Sequence, residues 1–374
     1  MQRPRWEHRD WLLIAALVVA ATAYGLRDAY TEYRPSPWHA EMLAAARHAE
    51  AAQAAIRADK AARGIVLDRA DDPNATGLIG PRWSGMTTTL GVLEAKRTTT
   101  NPNFAALAVA LLKACGAKPG ERVALNLSAS FPALNVAVLA AADTLGLETV
   151  SIASLGASMW GANDPAYTWL DMEDRLLAAG LLRRVSVAAS LGGSDDVGKD
   201  MDPDIRAALR ARLVASGRQV IEEADLKRNV EARLALYLAG GRPACFVNVG
   251  GNLAATGATA HTSAAVPGLI RPTAKAESGE DKRLGGLIGA FLAHGVPAIH
   301  LLDIKALALR HGLPYDPLPL PAAGEGGIYR QATVHRGVIA TVLAVVAALL
   351  AGYVRLGRKH HGRGLRIAPN EARN

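Results

Sequence analysis

The feature that most limits how this chain can fold is an uncharged run of 18 residues near its C-terminus, Gly337 to Val354. As an α-helix rising about 1.5 Å per residue, the run covers about 27 Å, close to the roughly 30 Å hydrocarbon core of a bilayer. Arg336 precedes it, and Arg355 and Arg358 follow it. Buried helices of soluble domains rarely have basic residues at both ends, so we expect a transmembrane helix over residues 337–354.

A second apolar segment lies near the N-terminus, from Trp11 to Leu26, after three arginines in the first nine residues. Within it, Ala21-Thr22-Ala23 has the small-x-small form of a signal-peptidase site, so cleavage after Ala23 is one interpretation. We favour an uncleaved signal anchor over residues 11–30, because the apolar run continues to Leu26 and a long helix is expected soon after it.

The formal net charge of +8 resides at the two ends of the chain. Residues 31–329 contain 30 Lys+Arg and 30 Asp+Glu, so the large middle is neutral and we expect no nucleic-acid partner. Positive charge before the first apolar segment and after the second places residues 1–10 and 355–374 in the cytoplasm. The middle then lies on the extracytoplasmic side of the cell membrane, and the lipid bilayer is an expected partner.

Residues 65–313 alternate short apolar strands with helices rich in Ala and Leu, joined by Gly, Ser, Asn and Asp. Continuously apolar strands separated by helices are typical of parallel sheets covered on both faces. The pattern predicts a mainly parallel, Rossmann-like three-layer α/β domain, flanked by N- and C-terminal transmembrane helices. The candidate strands are 122–127, 149–153, 185–189, 244–249 and 298–302.

Two segments border this domain. Ser36-Pro37 is a helix start, and no breaker follows before Gly64, so one long helix is expected over residues 36–64, as a stalk or lying along the domain. Residues 314–335 are rich in Pro and Gly and predict an extended linker to the second membrane segment.

The chain has two cysteines, Cys115 and Cys245, 130 residues apart. On the extracytoplasmic side they would meet an oxidising environment in many organisms and form one disulfide. They are equally interpreted as two buried thiols, because each adjoins an apolar run.

Small polar residues and glycines follow four of the five candidate strands. In an open parallel sheet, ligands bind beyond the carboxyl ends of the strands, where helix N-termini favour carboxylate or phosphate groups. Helix capping or a tight turn explains each loop alone, but together the loops predict one ligand-binding crevice. The candidate ligand-binding residues are Ser130, Asn135, Ser154, Ser158, Asn163, Asp164, Gly192, Gly193, Asn248, Gly250, Gly251 and Asn252.

No cofactor or metal is expected. No G-x-G-x-x-G follows a strand, and no G-x-x-x-x-G-K-[ST] occurs, so nothing indicates a nucleotide. The acidic clusters at 171–174 and 195–204 are interpreted as solvated loop charge, because the second lacks the Gly and the terminal Glu of a calcium-binding loop.

A serine hydrolase is a sharper alternative, because Ser128 and Ser130 follow a strand and precede a helix, where a nucleophile elbow lies. The glycines of G-x-S-x-G are missing around them. The candidate catalytic residues are Ser128 and Ser130, with Asp171 or Asp195 as the acid and His261 or His300 as the base.

Four strings in the chain resemble those of the bacterial poly-gamma-glutamate system protein family: SFPALN at 130–135, GASMWGANDP at 156–165, WLDME at 169–173 and NVGG at 248–251. The resemblance covers nearly the whole chain. It implies a membrane-anchored component that works with the synthase or export proteins of poly-γ-glutamate, a capsular or secreted polyanion. Ala129 stands where we expect a glycine in this family, which weakens the elbow interpretation.

These observations leave three functions open. The first is an accessory component of poly-γ-glutamate biosynthesis or export whose outer domain binds polymer or synthase partners, with Arg82, Lys96 and Arg97 as candidate contacts for carboxylates. The second is an extracytoplasmic serine hydrolase or transferase acting on γ-glutamyl bonds. The third is an α/β solute-binding domain tethered to the membrane.

Overall fold

The computed structural model describes residues 9–257, 266–277 and 285–363. Residues 37–329 form one compact unit, and the ends of the chain form a second unit. In chain order, the strands are β1 (Thr31–Pro35), β2 (Thr87–Thr89), β3 (Arg122–Ser128), β4 (Glu148–Ser154), β5 (Ala157–Ser158), β6 (Ala188–Ser190), β7 (Gln219–Ile221), β8 (Cys245–Val249), β9 (Gly268–Ile270), β10 (Ala298–Leu301) and β11 (Arg330–Val334). The helices are α1 (Asp10–Gly25), α2 (His39–Ala62), α3 (Leu93–Thr99), α4 (Phe104–Cys115), α5 (Pro132–Thr144), α6 (Trp169–Ala178), α7 (Pro203–Ala215), α8 (Leu226–Leu238), α9 (Leu253–Thr256), α10 (Ala274–Glu277), α11 (Gly286–Ala293), α12 (Ile304–Arg310) and α13 (Arg336–Arg363).

A seven-stranded sheet in the order β7-β6-β4-β3-β8-β10-β9 is the centre of the compact unit. Its neighbouring strands are parallel, except that β9 runs antiparallel to β10. The compact unit is thus an α/β fold with a mostly parallel sheet, as predicted. The chain progresses outward from β3 through β4, β6 and β7, then continues on the other side of β3 with β8. The carboxyl ends of β3 and β8 therefore flank the point where the strand order reverses, which is where open α/β sheets bind ligands.

Side chains that alternate along the central strands enter two apolar layers. Leu125 and Leu127 belong to the larger layer, which includes residues of α2, α4 and α5. Ala124 faces the other layer, where the rings of Phe246 and Phe291 stack with their centroids 4.4 Å apart. Burial on both faces explains why β3, β4 and β8 have apolar residues in consecutive positions.

Helix α2 lies along the compact unit. Its buried face consists mostly of alanines, including Ala45, Ala49 and Ala52, with Ile56 fully buried among them. Small side chains let helices approach closely, so this face packs into the core although it has few large apolar residues.

Residues 314–329 are bonded to the rest of the compact unit at several points. The guanidinium of Arg97 pairs with the carboxylate of Asp316 at 2.5 Å, and the Asn103 amide donates to the Ala322 carbonyl at 2.9 Å. Residues 330–334 form β11, which pairs antiparallel with β1. The segment predicted as an extended linker therefore contains a strand and a part bonded to the domain.

In the second unit, α13 contains the predicted apolar run. Among the described residues, one helical stretch, Arg336–Leu356, is long and apolar enough to cross a membrane. Helix α1 has 16 residues and is shorter than that stretch.

The cysteines lie side by side in the compact unit. The Cys115 thiol forms a hydrogen bond with the Cys245 thiol. This contact and burial together raise the pKa of Cys245 well above its ordinary value. Both cysteines are present as free thiols, one at the end of α4 and the other at the start of β8.

Mild oxidation of the full-length protein is expected to join Cys115 to Cys245. Closing a loop of this length should raise the free energy of unfolding by about 4–5 kcal/mol in the chain-entropy treatment. Mass spectrometry of non-reduced peptides and denaturant unfolding measure the two effects, with Cys115→Ser as the control. Two alkylatable thiols after oxidation would contradict the observed contact.

Candidate functional site

A cavity of about 730 Å³ lies at the carboxyl edge of the sheet. Loops that follow β3, β4, β6, β8 and β10 contribute to its wall, together with residues 88–92 and part of α3. The cavity therefore spans the reversal point between β3 and β8, and its volume is in the range of small-molecule sites. The predicted residues that line it are Ser128, Ser130, Ser158, Gly193, Gly251 and Asn252, together with Lys96, which was predicted as a contact for carboxylates.

Close contact between loops explains why Gly192 and Gly193 are glycines. They pack against Gly156, on which a Cβ would lie only 2.8 Å from the Gly193 backbone nitrogen, and they have φ of 71° and 67°. Only glycine adopts this backbone without strain at such a distance. Gly192 thus has a packing role, whereas Gly193 also borders the cavity.

Lys96, on α3, extends into the cavity wall and is only 3% exposed. Its Nζ donates to the carbonyl oxygen of Ser130 and lies 2.6 Å from the Oγ of Ser158. The same nitrogen is 3.7 Å from the centroid of the Phe131 ring.

No carboxylate of the described residues pairs with Lys96, and burial lowers its pKa to about 7. An amino group with this pKa exists in both charged and neutral forms at neutral pH. Strongly perturbed groups in a cavity are candidate functional residues, so Lys96 is the strongest chemical feature of the site.

Two serine loops hold this lysine. Ser158 lies in β5, which pairs with β2, and its backbone N–H donates to the Oγ of Ser130 at 3.0 Å. The backbone N–H of Ser130 in turn donates to the Oγ of Ser128 at 3.2 Å. Three serines from two loops are thus connected around one amino group.

The residues predicted as acid and base lie away from the cavity wall. Asp171 closes a capping box with Thr168 at the start of α6 and accepts from Arg212 at 2.7 Å. Asp195 pairs with Lys199 at 2.6 Å on the surface. His300 is fully buried in β10, where burial lowers its pKa to about 4. The structure does not bring these three residues to Ser128 or Ser130, and His261 lies outside the described residues.

Several predicted ligand residues have structural roles. The Asn135 amide donates to the Ser128 carbonyl at 2.9 Å, and the Asn163 amide donates to the Pro81 carbonyl at 2.9 Å. Asp164 accepts from the backbone N–H of Ala166, and Gly250 packs against Ser128 with φ of 85°. These contacts position the loops that surround the cavity.

A buried polar network supports the same edge from the other face of the sheet. Arg233, on α8, is 0% exposed and pairs with Asp196 at 2.6 Å. Its guanidinium also donates to the Ser190 hydroxyl at 2.8 Å. Asn252, which lines the cavity, donates to the Ser154 hydroxyl at 2.9 Å. The network therefore joins the loops after β6 and β8.

The network continues across three strands. The Asn126 amide donates to Asn248 at 2.8 Å, and the Asn248 amide lies 3.0 Å from Nδ1 of His300. These residues are register partners on β3, β8 and β10. Asn248 and His300 are thus members of a polar ladder under the cavity.

Three other basic residues differ from Lys96, and two of them, Arg97 and Arg82, were predicted to contact carboxylates. Arg97 is engaged by Asp316, and Arg82 is not among the residues that line the cavity. Lys305, at the start of α12, is exposed at the cavity rim, where its Nζ lies 5.5 Å from the Tyr315 ring centroid. In the described ranges, no group of three or more His, Cys, Asp or Glu residues has the geometry of a metal site.

Compared with known proteins, the chain is matched by no family model, no curated protein and no solved structure.

Replacing Arg233 with alanine is expected to lower the free energy of unfolding by about 3–5 kcal/mol, because the substitution leaves the Asp196 carboxylate buried without its cation. Arg228→Ala on the same helix removes an exposed pair with Glu223 and is the matched control, with no measurable loss expected. Denaturant unfolding in detergent measures both. Equal stability of the two variants would contradict a supporting role for the network.

Proposed function

We propose that this protein is a membrane-anchored component of a poly-γ-glutamate system whose outer domain binds the polymer in the cavity described above. Poly-γ-glutamate is proposed as the ligand because four strings of the chain resemble those of the poly-gamma-glutamate family. Three of the four strings contribute residues to the cavity or to the loops around it. Synthase or export proteins of the same system are the expected partners. The proposed role is accessory, because the domain holds a segment of polymer beside the proteins that synthesise or export it.

The proposed placement in the membrane depends on the length of the apolar helices and on the basic residues that flank them. Helix α13 carries the apolar stretch, with basic residues on both sides of it. Helix α1 follows basic residues as well, and we propose that it is a second, shorter anchor. With both ends in the cytoplasm, the compact unit lies on the extracytoplasmic side, where a secreted polymer is accessible.

The observation that carries the proposal is the chemistry of the cavity wall. Its floor has hydroxyl and amide groups, and Lys96 and Lys305 place amino groups within it and at its rim. Its rim also has exposed apolar side chains, with Leu90 77% exposed and Val92 and Leu253 exposed as well. A γ-glutamyl chain alternates carboxylates with amides and methylene groups, so each of these wall types has a counterpart on the polymer.

The acidic residues of the wall have structural partners. Asp200 accepts from the backbone N–H of Ser194 at 3.0 Å, and Asp303 accepts from the backbone N–H of Ala306 at the start of α12. They reduce the net attraction for a polyanion, and the neutral domain adds no long-range attraction. We therefore expect weak binding that depends on salt, as suits a site that a moving polymer must leave.

Charge reversal at the rim tests polymer binding. With full-length protein in zwitterionic nanodiscs and oligo-γ-glutamate of defined length, Lys305→Glu should weaken binding by at least about tenfold at low salt, because attraction becomes repulsion. Isothermal titration calorimetry gives the affinities. Lys227→Glu, on α8, is the control and should bind as the wild type does, since Lys227 is exposed and pairs only loosely with Glu231 at 4.0 Å.

Oligo-α-glutamate of the same length separates recognition of the chain from attraction to charge. Tighter binding of the γ-linked oligomer is expected. Absence of saturable binding, or equal affinities for the Lys305→Glu and Lys227→Glu variants, would overturn the proposal.

A further inference from the structure

The contact between Lys96 and Ser158 has the form of a catalytic pair. A serine hydroxyl becomes a nucleophile when an adjacent base takes its proton, and a lysine amino group is one such base. Here the two heavy atoms are 2.6 Å apart at the wall of a cavity. We propose that Ser158 and Lys96 form a serine–lysine dyad that cleaves or transfers amide bonds of the γ-glutamyl class. The substrate class rests on the proposed function, whereas the dyad rests on the contact between the two residues and on the burial of Lys96.

Ser158 is better placed as the nucleophile than Ser128 or Ser130. Its Oγ is the hydroxyl oxygen that bonds to the Lys96 amino group, and β5 holds its backbone against β2. The Ser130 Oγ already accepts the Ser158 backbone N–H, so Ser130 fixes the position of the Ser158 loop. Ser130 is therefore a positioning residue in this account.

The surroundings of Lys96 favour its neutral amine, which is the form that can accept a proton. Desolvation lowers its pKa to about 7, so about half of the molecules carry a neutral amine at neutral pH. One N–H of that amine donates to the Ser130 carbonyl oxygen, which orients the nitrogen. Its lone pair is then available to accept the hydroxyl proton of Ser158.

The reaction balances with these two groups and water. The proton of the Ser158 hydroxyl moves to Lys96 as Oγ forms a bond to the amide carbonyl carbon. The C–N bond then breaks, and the leaving amine takes the proton from Lys96, which leaves an ester on Ser158. Water attacks this ester in hydrolysis, or another amine does so in transfer. The attacking group gives a proton to Lys96, which returns it to the Ser158 oxygen as the ester bond breaks.

Covalent labelling of the full-length protein tests the dyad without any polymer. A fluorophosphonate probe should modify Ser158 in the wild type, and peptide mass spectrometry locates the adduct. Ser158→Ala and Lys96→Met should lower the labelling rate by at least about 100-fold, the range of general-base catalysis. Ser216→Ala, which removes a hydroxyl at the end of α7 and away from the cavity wall, is the matched control and should label at the wild-type rate.

The pH dependence identifies the base. Only neutral Lys96 accepts a proton, so the labelling rate should rise about tenfold per pH unit below pH 7 and level off above it. Thermal unfolding of each variant shows whether it is folded, and the site of labelling in the wild type needs no variant at all. No adduct on Ser158, or an adduct formed equally fast without Lys96, overturns the dyad.

Incubation with oligo-γ-glutamate then tests the substrate class. Shortening by the wild type and not by Ser158→Ala supports the complete proposal. Polymer binding without any Ser158 adduct overturns the dyad and leaves the proposed function standing. A reactive Ser158 in a protein that neither binds nor cleaves the oligomer supports the dyad and overturns the polymer as its ligand.

Discussion

A buried amino group without a carboxylate partner is the constraint around which the cavity of this protein is organised. Lys96 meets its hydrogen-bonding needs with the carbonyl of Ser130 and the hydroxyl of Ser158. Its folded-state pKa, about 7, lies below the ordinary value of 10.5, so protonating it disfavours the folded state. The resulting loss of stability grows as the pH falls from about 10.5 to about 7 and is complete below that range. A residue that destabilises the fold in this way is a candidate for function.

Another buried cation, Arg233, is treated in the opposite way. Arg233 is paired with Asp196 and bonded to residues on several strands, so its charge is satisfied. One network thus stabilises the loops after β6 and β8, while the cation on the cavity side is left to interact with hydroxyls and with whatever enters. The paired Arg233 holds the edge of the sheet in place, and this edge presents Lys96, which pairs with no described carboxylate and whose pKa is lowered. It also gives Asn248 and His300 a place in the support of the site.

Several parts of this architecture were predictable from local sequence. Strands β3, β4, β8 and β10 are mostly apolar, and the polar residues that follow them lie at the carboxyl edge because parallel strands end on the same side. Strands β7 and β9 have three residues each and lie at the sheet edges, so they left no apolar run to recognise. The α2 helix was predicted as a stalk or as a helix lying along the domain, and the sequence did not decide between them, because alanine packing depends on a partner surface that the sequence does not display.

The chemistry of the site was the hardest part to predict. Lys96 lies on a helix of seven residues, before the first strand of the central sheet, and its proximity to Ser158 results from the pairing of β2 with β5. Nothing in the string around it distinguishes it from Arg97, which pairs with Asp316 at the other side of the helix. The serines were recognised from their place after the strands, whereas the base was sought among histidines, and the one that is described, His300, is buried in β10. Long-range contacts decided which basic residue became buried.

The most direct test of this account is the titration of the Lys96 amino group itself. In full-length protein with ¹³C-labelled lysine side chains, Lys96→Met identifies the resonance of the Lys96 Cε by its absence. The Lys96 resonance is expected to titrate with a pKa of about 7, well below the ordinary lysine value of 10.5. Titration of Lys96 together with the exposed lysines would contradict a desolvated amino group and remove the basis for both the cavity chemistry and the dyad.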